Sequence, residues 1–140
     1  MHYLLYTDGA YYPEHERSSI AYVMINAKTK QETRRLSQTV KGDTSSRAEL
    51  KAIISAVYAL HYDADSCTVI SDSKYALDAC SGRCIRYHNA DLLMLYDKIV
   101  KERGLSVTYQ WVRAHNNNFY NELADTLCKQ AIDEYINNKK

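Results

Sequence analysis

No stretch of this sequence approaches the ~20 consecutive apolar residues that a membrane span requires, and the opening Met1-His2-Tyr3-Leu4-Leu5-Tyr6 has no basic leader. A soluble, cytoplasmic protein with no membrane partner is expected. An excess of charge of one sign is also missing, because 18 Lys plus Arg stand against 17 Asp plus Glu. A net charge of +1 gives no global field to draw nucleic acid, so any phosphate-binding surface has to be local. No acidic or basic block is long enough to act as a disordered interaction tail, and only Asn137 to Lys140 reads as frayed. Four cysteines, Cys67, Cys80, Cys84 and Cys128, show no C-x-x-C spacing, which points to reduced thiols. Cys80, Cys84 and His88 recur every fourth residue and are expected on one helix face, but they lack a fourth ligand for a structural zinc. Internal repeats, low-complexity segments and interdomain linkers are absent. The 140 residues therefore read as one domain, residues 1–140, long enough to bury a core unaided, and as a monomer.

Hydrophobic periodicity is plentiful. Tyr3 to Thr7 is a short run of β-formers ending at Asp8-Gly9, Ser19 to Asn26 is a second, and Gln31 to Val40 a weaker third. Turns are expected at Tyr12-Pro13 and Asn26-Ala27-Lys28. The period then changes: Ala48, Ile53, Val57 and Leu60 trace a helical stripe from about Ser45 to His61, capped by Thr44 or Ser45. Cys67 to Ile70 is a compact strand, followed by Ser71-Asp72-Ser73 and a short helix through Ala79. Leu92, Leu93, Tyr96, Ile99 and Val100 recur at helical spacing until Gly104 stops them. A fifth strand, Ser106 to Val112, leads through a polar loop, Arg113 to Asn118, into a helix from about Tyr120 to Ile136. This β-β-β-α-β-α-α-β-α order predicts an α/β fold with a mixed five-stranded sheet flanked by helices.

Four carboxylates interrupt apolar contexts: Asp8 after the first strand, Glu49 early in the first helix, Asp72 after the fourth strand and Asp125 in the last helix. Taken singly, Asp8 before Gly9 suits a turn and Glu49 suits a helix N-terminus. Crowded together, they would repel and raise one another's pKa unless a cation neutralised them. An all-oxygen donor set suits Mg²⁺ or Mn²⁺.

Five segments, in order, resemble ribonuclease H type 1 along nearly the whole chain. They are Tyr6-Thr7-Asp8-Gly9-Ala10, Thr44-Ser45-Ser46-Arg47-Ala48-Glu49-Leu50, Ser71-Asp72-Ser73-Lys74-Tyr75, Trp111-Val112-Arg113-Ala114-His115 and Asn121-Glu122-Leu123-Ala124-Asp125. The resemblance implies the ribonuclease H-like fold, with strands one and four adjacent and parallel, so that Asp8 and Asp72 emerge side by side at one sheet end. It implies an endonuclease that hydrolyses the RNA strand of RNA/DNA hybrids with two Mg²⁺ ions, Mn²⁺ being an alternative, and leaves 5′-phosphate and 3′-hydroxyl ends. Asp8, Glu49, Asp72 and Asp125 would then be catalytic metal ligands, and His115 would assist proton transfer or product departure. Gly9, Thr44, Ser45, Ser46, Asn89 and Asn121 would meet substrate or support the loop around it.

Two departures from the family pattern matter most. Ser81-Gly82-Arg83 replaces an aromatic that lies along the DNA sugars, with Arg83 and Arg86 as possible phosphate contacts, and a brief Cys80 to Tyr87 link replaces the basic helical protrusion. This is the compact form, for which weaker hybrid affinity is expected. The alternative reading keeps the fold as a nucleic-acid-binding or polymerase-associated module with weak or no activity.

Overall fold

Alternation of side chains along the first strand sets the two layers. A computed structural model describes residues 1–42 and 44–139. In it, β1 (His2–Tyr12) sends Tyr3 and Leu5 into one apolar cluster and Leu4 and Tyr6 toward a second, the period of two of a pleated strand. Antiparallel β2 (Arg17–Asn26) divides its residues in the same way, with Tyr22 and Met24 on the first side and Ala21, Val23 and Ile25 on the other. The sheet is completed by β3 (Glu32–Lys41), β4 (Ser66–Ser71) and β5 (Ser106–Trp111) in the order β3-β2-β1-β4-β5. β4 is parallel to both β1 and β5. The larger cluster is covered by α1 (Ser45–Tyr58), α2 (Lys74–Ser81) and α3 (Ala90–Glu102); α4 (Phe119–Asn138) seals the opposite face over β1, β2 and β3. The mixed five-stranded sheet flanked by helices is thus present as expected.

Local chemistry accounts for most boundaries. Thr44 caps α1 by accepting from the Arg47 amide at 3.1 Å. Asn26 Oδ1 accepts from the Lys28 and Thr29 amides, making the turn before β3. Gly104, with φ +60°, follows α3 where a left-handed residue is needed. Asn118 caps α4, its Oδ1 accepting from the Asn121 amide at 3.0 Å.

Five expectations need correction. β1 does not stop at Thr7: it continues through Asp8 and Gly9 to Tyr12 because β2 pairs with it as far as Tyr12↔Arg17. α1 ends at Tyr58, three residues before His61. Cys80, Cys84 and His88 share no helix face, since Gly82 (φ +79°) ends α2 and the last two lie in the link to α3. Arg86 is committed within the fold: it pairs with Asp97 at 2.7 Å and donates to the Ala79 and Cys80 carbonyls. α4 extends through Asn138, and Lys140, the end of the tail expected to fray, lies outside the described residues. No helix among the described residues is long and apolar enough to cross a membrane.

Candidate metal centre

The site forms where the sheet divides. β1 and β4 pair from His2↔Ser66 to Tyr6↔Ile70, after which β1 continues beside β2 alone while β4 ends at Ser71. Asp8 lies on β1 two residues beyond the last β4 pairing, and Asp72 directly follows β4. A cleft at the carboxyl end of parallel strands is where open α/β sheets bind ligands. α1 brings in Glu49 from one face and α4 places Asp125 on the other.

Gly9 allows α1 to come this close. A Cβ at that position would overlap the Ala48 carbonyl group and lie 2.6 Å from the Glu49 nitrogen, a clash only glycine avoids. Its amide donates to Glu49 Oε1 at 3.1 Å. Ser71 Oγ donates to Glu49 Oε2 at 3.5 Å and accepts from the Ser73 amide at 3.0 Å. Asp72 is fixed through its backbone: its carbonyl accepts from Trp111 Nε1 at 3.1 Å, and Val112 extends the pairing by donating to Ser71 O at 3.0 Å.

One ligand atom each from Asp8, Glu49 and Asp72 lies within 4.8 Å of the others. Asp8 is 7 % exposed and Glu49 9 %, which rules out the reading of Glu49 as a mere surface charge at a helix start. Among the described residues none of the three has a lysine or arginine at ion-pair distance. Burial, followed by the charges of Asp72 and Asp125, pushes the Asp8 carboxyl up, with a Glu49 hydrogen bond opposing part of the rise. Burial and then Asp8 and Asp72 hold Glu49 well above the usual carboxylate range. Asp72 is raised by burial and Asp125, offset by its own amide and by His115. Oxygen donors from two buried carboxylates and the half-buried Asp72, with no cationic side chain paired to them among the described residues, fit a hard divalent cation.

The other expected residues fall into distinct places. Asp125 is outside the tight group: it pairs with Lys129 one turn along α4 at 3.0 Å, and its field still reaches Asp8 and Asp72. His115 is exposed in the 113–118 loop at φ +54°, and its charge offsets part of the rise of the Asp72 carboxyl. Thr44, Ser45, Ser46 and Asn89 gather where the N-termini of α1 and α3 adjoin. Thr44 Oγ1 meets Ser46 Oγ at 3.3 Å, and Asn89 Nδ2 reaches Ser46 Oγ at 3.5 Å and the Tyr75 hydroxyl at 2.9 Å. Arg47 draws this corner together, donating to Asn89 and, through two bonds, to Asp91. Asn121 is only 4 % exposed, a position suited to supporting the loop.

Ser71, Trp111 and Lys129 also shape the site, without standing out in the sequence as functional residues. Lys129 had a signal, its four-residue spacing from Asp125. The indole contact to Asp72 depends on parallel pairing of β4 and β5 and had none.

Fold and site together define an α/β protein with an acidic, all-oxygen cluster at the split end of its sheet that could hold a metal ion. The RNase H family model matches residues 1–133. A ribonuclease H from Anaeromyxobacter dehalogenans (strain 2CP-C) is 35% identical over 101 residues, covering 63% of this chain and 54% of that protein, so the match spans about half of that relative's length. A ribonuclease H from Polaromonas naphthalenivorans (strain CJ2) is 28% identical over 148 residues, covering 96% and 89% of the two chains. Among solved structures, LC11-RNase H1, isolated from compost by a metagenomic approach and solved in complex with RNA/DNA hybrid, matches with a TM-score of 0.79 at 20% identity, covering 96% of this chain and 99% of that one. The chain belongs to the RNase H family.

Proposed function

We propose that this protein is a metal-dependent endonuclease that hydrolyses the RNA strand of RNA/DNA hybrids by a two-metal mechanism, leaving 5′-phosphate and 3′-hydroxyl ends. The observation that carries this reading is the convergence of Asp8, Glu49 and Asp72 within 4.8 Å, without a cationic partner among the described residues. Asp8, Glu49 and Asp72 would hold the ions, with Asp125 joining them once its carboxylate turns from Lys129. Mg²⁺, or Mn²⁺ in its place, supplies an activated water on one side of the phosphodiester and charge stabilisation of the leaving oxygen on the other.

The chain's own residues do the remaining work. Gly9 and Ser71 orient the Glu49 carboxylate through their N–H and O–H groups, and Trp111 fixes the backbone that carries Asp72. His115, on the exposed loop 113–118, would pass a proton to the departing oxygen or assist product departure. The hydroxyls of Thr44, Ser45 and Ser46 both donate and accept, as contact with a 2′-hydroxyl demands, and Asn89 continues that surface toward a DNA phosphate. Gly9 lets α1 carry Glu49 up to the cluster, and Asn121, buried in the first turn of α4, supports the histidine loop by donating its amide to Asn118 Oδ1. The similarity to LC11-RNase H1, which is in complex with an RNA/DNA hybrid, supports this substrate class. The protein would act as a monomer in the cytoplasm, a compartment that suits its four free thiols.

Matched RNA/DNA, RNA/RNA and DNA/DNA duplexes, each incubated with Mg²⁺ and with EDTA, test the reading. Cleavage of the RNA strand of the hybrid alone, abolished by EDTA, is the expected result. Hybrid binding without cleavage would instead mark an inactive binding module.

A further inference from the structure

Arg34 of β3 and Arg103 at the end of α3 converge on the C-terminal end of α1, remote from the acidic cluster. From Glu49 to Tyr58 the helix runs roughly 14 Å. Arg34 donates to the Ala59 carbonyl at 2.9 Å; Arg103 donates to the Val57 carbonyl at 3.3 Å and to the His61 carbonyl at 2.9 Å. Cations suit a helix C-terminus, but one guanidinium would serve that end. These two also line a cavity of about 480 Å³ together with Tyr58, His61 and Tyr62, within the roughly 300–1,000 Å³ of small-molecule sites. Neither arginine has a carboxylate at ion-pair distance among the described residues. Each guanidinium carries five N–H donors, so donors remain after the bonds to the helix end. His61 Nε2 is buried with no hydrogen-bond partner. The two tyrosines are 73 % and 104 % exposed, far beyond what core packing explains.

Paired guanidiniums suit a phosphate better than a single carboxylate, because they match its several oxygens and higher charge. Exposed phenol rings beside them give an aromatic base a face on which to stack. We propose that this cavity binds a nucleotide, with Arg34, Arg103 and His61 holding its phosphate and Tyr58 or Tyr62 stacking on its base. The site is independent of the hydrolytic reading, since no residue is shared with the acidic cluster.

NMR titration of the full chain in EDTA tests it, with inorganic phosphate, AMP and a 5′-phosphorylated DNA oligonucleotide as probes. Phosphate is expected to shift the amides of Arg34, Ala59 to Tyr62 and Arg103 saturably, and AMP to bind at least tenfold more tightly. The Tyr58→Ala/Tyr62→Ala double variant, altered at exposed side chains, should reduce AMP affinity to that of phosphate. Arg34→Gln/Arg103→Gln should weaken both at least tenfold. Equal affinity for AMP and the oligonucleotide indicates a free nucleotide; tighter oligonucleotide binding indicates a strand end. The proposal is overturned if no saturable shifts occur at these amides, or if the double tyrosine variant binds AMP as well as the parent does. The wild-type footprint and the tyrosine variant decide the matter even where the arginine variant fails to fold.

Discussion

Asp8, Glu49 and Asp72 are each raised by burial and by one another or by Asp125, so the metal-free protein carries a repulsion that grows as they ionise. Their folded-state pKa values lie above those of the unfolded chain, so the native state binds more protons and stability falls with rising pH. The decline should begin near the ordinary carboxylate range, about 4, and continue through about 7, the value to which Asp8 is pushed. Denaturant titration of the protein in EDTA at pH 5 and pH 8 checks this: a lower midpoint is expected at pH 8, and added Mg²⁺ should restore it. Asp8→Asn removes one charge and should raise the metal-free midpoint at pH 8 while reducing Mg²⁺-dependent hybrid cleavage on the order of 10²-fold or more. For His115→Ala a slower turnover is expected with metal affinity unchanged, because no metal ligand is lost; calorimetry with Mg²⁺ separates the two. The carboxylates were legible in the sequence because each breaks an apolar run, and His115 through the resemblance of Trp111-Val112-Arg113-Ala114-His115 to the family motif. The Lys129 pairing and the Trp111 contact were not, since both depend on side-chain placement that local pattern leaves open.

The element most misjudged from sequence was β1, and the cause is instructive. Asp8-Gly9 reads locally as a turn, but ten consecutive pairings with β2 carry the strand on to Tyr12, and tertiary pairing outweighs local propensity. Gly9 serves as a close-packing point between β1 and α1. Gly9→Ala should therefore cost about 2 kcal/mol through overpacking, measurable by urea denaturation, and should weaken metal binding by displacing Glu49. Thr44→Ala removes the α1 cap and should cost about 1 kcal/mol, without the loss of metal affinity. The five strands and four helices were otherwise readable from periodicity, with errors at ends such as α1 after Tyr58, where the Arg34 and Arg103 contacts help terminate the helix.

With 18 Lys plus Arg balanced by 17 Asp plus Glu, and a short 82–89 link where the family resemblance implies a basic protrusion, this protein has no excess of cations with which to grip a duplex. Arg83 is exposed, but Arg86 is held by Asp97. Each phosphate contact contributes a log–log salt slope of about −0.9 on B-form DNA, so hybrid binding should show a shallow slope, about −3 or less in magnitude. Fluorescence anisotropy from 50 to 200 mM salt measures it; a slope several units steeper would require many more phosphate contacts than these residues make. The division of the sheet has a further consequence. The three clustered carboxylates come from β1, the segment after β4, and α1, three pieces far apart in sequence that meet only when the layers have docked. No hairpin, isolated helix or half-assembled sheet contains the set, so tight Mg²⁺ affinity should emerge at the last step of folding and vanish at the first step of its undoing.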